Sequence, residues 1–180
     1  MSSKNERITR RNFLSQGGKT AAGAFAVSAL ASCTTAESSM PTKIKARGAN
    51  ERINLAVIGI RGRGMALAQG FAKLDNVRVK TLCDIDENLF AERVKKISGI
   101  QGSDPNTTYD LRRVYDDKYI DAVVIAAPNH WHALATIWAC QAGKHVYVEK
   151  PCSHNVWEGR KMIEAARKYN RLVQVGFQNR

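Results

Sequence analysis

The stretch RINLAVIGIRGRGMALAQGFAKL, residues 52–74, decides the fold. Residues 53–58 are a short, mostly apolar run with β-branched side chains, which predicts a buried parallel strand. A glycine-rich loop follows at once, and apolar residues then recur at helical spacing from Met65 to Leu74. A strand, a tight glycine turn and a helix in this order point backbone N–H groups and the positive end of the helix at a diphosphate.

The glycine loop departs from the dinucleotide-binding pattern GxGxxG at its second glycine. In that register the glycines belong at positions 59, 61 and 64, and position 61 is Arg61. Either Gly62 takes over the close approach to the phosphates, or the arginine side chain turns outward toward phosphate or ribose. The loop residues predicted to bind the coenzyme are Gly59, Ile60, Arg61, Gly62, Arg63 and Gly64.

An acidic residue at the end of the second predicted strand supports the dinucleotide interpretation. Asp84 lies 20 residues beyond Gly64, where a carboxylate is expected to accept hydrogen bonds from the adenosine ribose. A carboxylate there repels a 2′-phosphate, so NAD is predicted in preference to NADP. Arg61, Arg63 and the basic overall charge keep NADP open as an alternative.

The rest of the chain repeats the alternation of strand and helix. Asp86 is predicted to cap a helix that ends before Gly99, and Glu158 has capping-box spacing from Asn155. Five strands alternating with helices predict an α/β fold, a doubly wound parallel sheet that binds its ligand at the carboxyl ends of the strands. Beyond Asp84, the predicted strands are 122–126, 145–149 and 172–175, and the predicted helices are 87–98, 131–142 and 156–169.

Two polar clusters follow strands of this predicted sheet, at residues 128–132 and 149–151. The segments AAPNHWHA, GKHVYVEKP and VGFQNR, downstream of a glycine loop, resemble the Gfo/Idh/MocA family, the glucose–fructose oxidoreductase and inositol dehydrogenase group. The resemblance covers residues 53–180. It implies a Rossmann domain that binds a nicotinamide coenzyme and, in the complete family architecture, a second α+β domain that contacts a sugar or polyol.

The resemblance also implies roles for single residues. Lys150 would be the catalytic lysine, Glu149 would help to orient it, and Pro151 would follow a cis bond. We expect burial beside the nicotinamide ring to favour the neutral amine that accepts a hydroxyl proton; the alternative is a solvated surface lysine. His132 is either catalytic or a histidine packed on the sheet at a helix start. The predicted catalytic residues are Lys150, Glu149 and His132, and the predicted coenzyme contacts beyond the loop are Asp84, Pro128, Asn129, Glu149 and Lys150.

The first residues read as a targeting segment. Arg10 and Arg11, followed by Asn-Phe-Leu, resemble the twin-arginine export signal, and residues 20–31 are too short to span a bilayer. Residues 30–33 resemble a lipobox with Cys33 as the lipidated residue; in the alternative, an ordinary signal peptidase cleaves and Cys33 is incidental. The predicted organisation is a signal peptide at 1–32, a flexible tether at 33–51, a dinucleotide-binding domain at 52–175 and the start of a truncated substrate domain at 176–180.

Charge and cysteine content bear on the partners. The net charge is +12, but the basic residues are scattered without interleaved aromatics, so no nucleic-acid partner is predicted. The 4 cysteines are irregularly spaced, which predicts neither a metal site nor a disulfide scaffold. The predicted partners are the twin-arginine export machinery and a sugar or polyol, with membrane contact only through the lipid anchor.

Three functions stay open at this point. The first, favoured by the EKP lysine, is an exported, periplasmic or membrane-anchored sugar or polyol oxidoreductase. It would hold its nicotinamide tightly, because the free coenzyme is scarce outside the cytoplasm. The second is an NAD-dependent glycosidase that oxidises and re-reduces its sugar, and the third is a truncated chain that binds coenzyme without turnover. A full-length protein is expected to form a homo-oligomer.

Overall fold

The apolar runs of the sequence become the strands of one parallel sheet. The computed structural model describes residues 52–177, so Arg10, Arg11, Cys33 and residues 178–180 lie outside the described part. The strands are β1 (Ile53–Ile58), β2 (Val77–Cys83), β3 (Asn106–Thr108), β4 (Ala122–Ile125), β5 (His145–Glu149) and β6 (Val173–Gly176). The helices are α1 (Gly62–Ala72), α2 (Phe90–Gln101), α3 (Leu111–Asp116), α4 (Asn129–Gln141) and α5 (Val156–Lys168), with a 3-10 turn at Glu87–Leu89.

The strand order places a crevice in the middle of the sheet. The order is β3-β2-β1-β4-β5-β6, and every neighbouring pair is parallel. The chain builds outward from β1 to β3 and then returns to build the other half from β4 to β6. The connections that leave β1 and β4 therefore diverge, which opens a crevice at the carboxyl ends of these two strands. The predicted doubly wound parallel sheet is confirmed.

Apolar side chains project from both faces of the sheet. Leu55 and Val57 of β1 pack with residues of α1 and α2, whereas Ala56 and Ile58 pack with residues of α3, α4 and α5. Successive residues of a strand point to opposite faces, so one continuous apolar run feeds two cores. This double burial holds the ends of β1 and β4 rigidly beneath the loops.

The described sheet has six strands, and the prediction of five was wrong. The missing strand is β3, three polar and largely exposed residues at the edge of the sheet, which carry neither apolar alternation nor length. The helix predicted at 87–98 is also displaced. Asp86 caps the 3-10 turn through the N–H of Asn88. Gly99 lies inside α2, which ends at Gln101 and is followed by its C-cap Gly102 in the left-handed region, with φ of 71°.

The remaining boundaries differ by a few residues. Helix α1 begins at Gly62 instead of Met65, because the glycine loop itself turns into the first helical turn. Strand β6 includes Gly176, which the predicted domain boundary had placed in the following segment. Within residues 52–177, no helix combines the length and the apolar character that a bilayer crossing needs.

Candidate coenzyme and catalytic site

The turn after β1 is closed by two glycines that have no room for a side chain. Gly59 has φ of +82°, and a Cβ there would lie 2.7 Å from the carbonyl oxygen of Ala126. A Cβ on Gly64 would lie 1.7 Å from the carbonyl oxygen of Gly59. The backbone of the loop is thus pressed against the end of β4 on one side and against the first turn of α1 on the other.

The N-terminus of α1 is open. Arg61 is the N-cap residue, yet no side chain caps the helix and its first turn contains no acidic residue. A Cβ on Gly62 would meet nothing within 4 Å among the described residues. The first N–H groups of a helix need acceptors and carry a partial positive charge, so this bare end fits a diphosphate.

Asp84 lies beside the glycine loop, as predicted. Its Oδ2 accepts a hydrogen bond from the Ile60 N–H at 2.9 Å, and its Oδ1 accepts one from the Asp86 N–H at 3.1 Å. A carboxylate has about four acceptor positions, so these two bonds leave capacity for a diol. The carboxylate is fixed between the loop and the start of the next connection.

Arg61 turns outward on the same side. Its Nη2 donates to Asp86 Oδ2 at 2.5 Å, and 70% of its side chain is exposed. Asp86 in turn follows Asp84 by two residues and is bonded to it through its own N–H. Both alternatives for the missing glycine stay predictions: a Cβ on Gly62 would have no neighbour among the described residues, and the Arg61 side chain turns outward to Asp86.

A buried carboxylate links the glycine loop to the lysine strand. Glu149, the last residue of β5, is 4% exposed. Its Oε1 accepts from Arg63 Nε at 2.9 Å, and its Oε2 accepts from the Lys150 N–H at 3.3 Å. The hydrogen bond from Arg63 to Glu149 raises the pKa of Arg63 above its ordinary value. One side chain therefore joins the first turn of α1 to the main chain of Lys150.

Lys150 lies at the carboxyl end of β5, and the peptide bond to Pro151 is cis. Its side chain is exposed. The burial expected for this lysine is therefore not supplied by residues 52–177. Lys150 lies at the same end of the sheet as the glycine loop and Asp84. Each of them follows a strand, and the carboxyl ends of parallel strands lie together.

His132 is buried in the first turn of α4, with 2% of its surface exposed. Its Nδ1 lies 2.6 Å from the Pro151 carbonyl oxygen and its Nε2 lies 2.8 Å from the Ala127 carbonyl oxygen. Both ring nitrogens thus face the backbone. This arrangement favours the packed histidine over the catalytic one, since His132 ties the end of β4 to the loop that carries Lys150.

The residues just before His132 lie on the surface of the same edge. Pro128, Asn129 and His130 are exposed where β4 runs into α4, and the Trp131 side chain is 38% exposed. Pro128 and Asn129 therefore lie at the crevice, and their contact with the coenzyme stays a prediction. No ring contact beyond a tilted one between His130 and Trp131 involves these residues within the described part.

The contacts of Tyr147 and Gly176 were not foreseen from the sequence. A Cβ on Gly176 would lie 2.4 Å from the Tyr147 hydroxyl and 2.9 Å from Glu149 Oε1. The pattern HVYVE does carry a signal, because residues 147 and 149 alternate onto one face of β5. What the pattern lacks is the partner strand, so the close approach of β6 could not be inferred.

Neither of two cavities elsewhere on the described residues belongs to this site. One of about 380 Å³ lies at the opposite edge, beside Lys73 and Arg78, and one of about 570 Å³ lies between α4 and α5. The crevice is an open groove, so its assignment rests on the contacts above. Residues 52–177 also contain no group of three or more His, Cys, Asp or Glu side chains placed to hold a metal ion.

The chain is similar to known oxidoreductases and to proteins named as glycosyl hydrolases. The Gfo/Idh/MocA model, described as "Oxidoreductase family, NAD-binding Rossmann fold", matches residues 53–177. A "Glycosyl hydrolase family 109 protein 2" of Shewanella sp. (strain ANA-3) is 28% identical over 170 residues, which is 87% of this chain and 36% of that protein. The levoglucosan dehydrogenase of Pseudarthrobacter phenanthrenivorans is 36% identical over 101 residues, 56% of this chain and 25% of that protein.

Among solved structures, the myo-inositol 2-dehydrogenase from Lactobacillus plantarum superposes with a TM-score of 0.62 at 26% identity. The match covers 70% of this chain and 36% of that one. The chain thus spans about a third of the length of the first curated relatives it matches.

Proposed function

We propose, from the premise that the chain belongs to the Gfo/Idh/MocA family of NAD-binding oxidoreductases, that it acts in the oxidation of a sugar or polyol hydroxyl. The observation that carries the proposal is that three predicted binding groups lie at the carboxyl ends of the strands. The open N-terminus of α1, the carboxylate of Asp84 and the side chain of Lys150 follow β1, β2 and β5 at the same end of a parallel sheet.

Different residues of the crevice would bind different parts of the coenzyme. The N–H groups of the first turn of α1 would hold the diphosphate, and Asp84 would accept the ribose hydroxyls. Pro128 and Asn129 would border the nicotinamide. Bound there, NAD supplies the acceptor for a hydride, which the protein's own side chains cannot provide.

The chain's own residues handle the proton. Oxidation of a secondary alcohol removes a hydride from carbon and a proton from oxygen. Lys150 would accept that proton on its Nζ and become the ammonium. Glu149 fixes the main chain of Lys150 through its N–H, and His132 fixes the following loop through the Pro151 carbonyl, so both act as positioning residues.

The substrate class follows from relatives. The similarity to a levoglucosan dehydrogenase and to a myo-inositol 2-dehydrogenase supports a sugar or polyol, whose adjacent hydroxyls suit a polar, open crevice. We expect the protein to be a homo-oligomer.

Export is part of the proposal. The twin-arginine pattern at Arg10 and Arg11 and the lipobox pattern ending at Cys33 support delivery of the folded protein to the periplasm and an anchor in the membrane through a lipid. A protein that is folded before export can take NAD with it. We therefore expect NAD to be held tightly and regenerated in place.

A redox-cycling glycosidase is the second candidate, favoured by the glycosyl hydrolase family 109 similarity, which extends over 87% of the chain. In such a cycle the sugar is oxidised, its glycosidic bond is eliminated and the product is reduced again. The same crevice serves both reactions, and the difference lies in whether reduced coenzyme accumulates.

The deciding experiment uses the 180-residue chain with NAD, a panel of polyols and anhydrosugars, and a panel of aryl glycosides. A dehydrogenase accumulates NADH with a kinetic isotope effect from the carbinol carbon, whereas the glycosidase releases the aryl alcohol without net NADH.

The variant Lys150→Met should lower either rate by about 10²–10⁴-fold, the usual contribution of a general base. Lys118→Met, an exposed lysine at the opposite edge, is the control; absence of NAD binding by the unaltered chain refutes the proposal.

A further inference from the structure

The contact between Arg61 and Asp86 lies where the ribose of the coenzyme is expected. We propose that this ion pair sets the preference for NAD over NADP, by pairing the guanidinium that would otherwise bind a 2′-phosphate. The inference rests on the proposed function, since it concerns the same coenzyme crevice. It assigns a role to the arginine that replaces the second glycine of the loop.

A continuous chain of contacts connects the pair to the predicted ribose position. Asp84 Oδ1 accepts from the Asp86 N–H at 3.1 Å, and Asp86 Oδ2 accepts from Arg61 Nη2 at 2.5 Å. The guanidinium is thus separated from the Asp84 carboxylate by a single residue. A phosphate ester on the ribose hydroxyl next to Asp84 would arrive within reach of Arg61.

The balance of charge explains the preference. The groups linked by these contacts are two carboxylates and one guanidinium, so their summed charge is negative and the guanidinium is already paired. A phosphate monoester carries about −1.5 to −2 charges at neutral pH, so it is repelled as the site stands. If the charge of Asp86 is removed, Asp84 and Arg61 balance, and the guanidinium is free to bind the phosphate through two N–H groups.

Because the ion pair between Arg61 and Asp86 is partly exposed, a single substitution is expected to change the coenzyme preference. The Arg61 side chain is 70% exposed and that of Asp86 is 27% exposed, and ion pairs of this kind hold their partners weakly. Asp86 has a second task, because its Oδ1 caps the 3-10 turn through the Asn88 N–H at 3.2 Å. Asn and Ser at position 86 keep a capping oxygen and lose only the charge.

The experiment titrates NAD and NADP into the 180-residue chain by calorimetry at one fixed ionic strength. In Asp86→Asn, and again in Asp86→Ser, the ratio of the NADP to the NAD dissociation constant should fall about tenfold, as expected for one released charge at close range. The double variant R61A/D86N should lose most of that gain. Asp75→Asn, which removes an exposed carboxylate at the far edge of the sheet, should leave the ratio within about twofold.

Two results overturn the inference. One is a ratio in both Asp86 variants that stays near that of the unaltered chain. The other is a gain that R61A/D86N retains, because the effect would then come from lost repulsion alone. Failure of the unaltered chain to bind either coenzyme overturns the proposed function as well, and the first titration distinguishes that case from the others.

Discussion

Gly64 shows how much of the site depends on one missing side chain. The position its Cβ would take is 1.7 Å from the Gly59 carbonyl oxygen, so any other residue forces the helix away from the strand. Gly59 adds a positive φ that residues with a side chain rarely adopt. Between them these two positions fix where the first turn of α1 begins.

We predict that Gly64→Ala destabilises the fold by more than about 2 kcal/mol, because the collision is with backbone that cannot rotate away. Gly99→Ala is the matched control. Gly99 lies inside α2, and a Cβ there would meet nothing within 4 Å, so alanine should stabilise by about 0.5–1 kcal/mol. Urea denaturation measures both, and equal effects would contradict the account.

Single residues also mark the limit of what the sequence could reveal. The positions of Asp84, the glycine loop and Lys150 were foreseen because their spacing from predicted strands is itself the signal; their roles stay predictions. The pairing of Arg63 with Glu149 was not, because 86 residues separate them and only the packing of α1 over β5 brings them together. The sequence predicts Arg63 as a coenzyme contact, whereas in the structure its side chain bonds Glu149.

At the scale of elements, α1 and β5 are joined by two contacts on one face of the sheet. Arg63 Nε bonds Glu149 Oε1, and Phe71 packs edge-on against Tyr147 with ring centroids 6.0 Å apart. The helix that offers its N-terminus to the coenzyme is therefore attached to the strand that carries Lys150. Movement of either would displace the other.

We predict that Arg63→Met lowers the melting temperature more than Glu149→Gln does. The first variant takes a cation away from a buried carboxylate, whereas the second removes the buried charge itself. The double variant R63M/E149Q should be no less stable than Arg63→Met alone. Thermal unfolding of the four proteins tests this; additive losses would mean that the two side chains do not depend on each other.

Elements differed in how well the sequence predicted them. Strand β5 was predicted to the residue because its apolar core is bounded by a loop on one side and the EKP turn on the other. Strand β3 was missed because its pairing with β2 is decided by the neighbouring strand and not by its own three polar residues. Short edge strands of this kind carry too little periodicity to be recognised.

At the scale of the whole molecule, the predicted ribose and proton-transfer groups lie on opposite sides of the crevice. Asp84 follows β2 and Lys150 follows β5, and β1 and β4 lie between them. Three strand spacings amount to about 14 Å, so a ligand that touches both groups must be extended. An extended dinucleotide meets that requirement, and a nucleoside monophosphate is much shorter.

We predict that NAD at a concentration about 100 times its dissociation constant raises the free energy of unfolding by about 2.7 kcal/mol, because only the folded chain has the crevice. Denaturation by urea with and without NAD measures the shift. Adenosine monophosphate at the same concentration should stabilise less, since it cannot reach the Lys150 side. Equal stabilisation by the two would show that this side is not used.

The close packing around Gly176 fixes the position of the last described strand. Where its side chain would be, the Tyr147 phenol and the Glu149 carboxylate already occupy the space. A methyl group there would require the ends of both side chains to shift, including the carboxylate of Glu149 that bonds the main chain of Lys150. The end of β6 is thereby positioned against Glu149, and through it against the main chain of Lys150, the predicted proton acceptor.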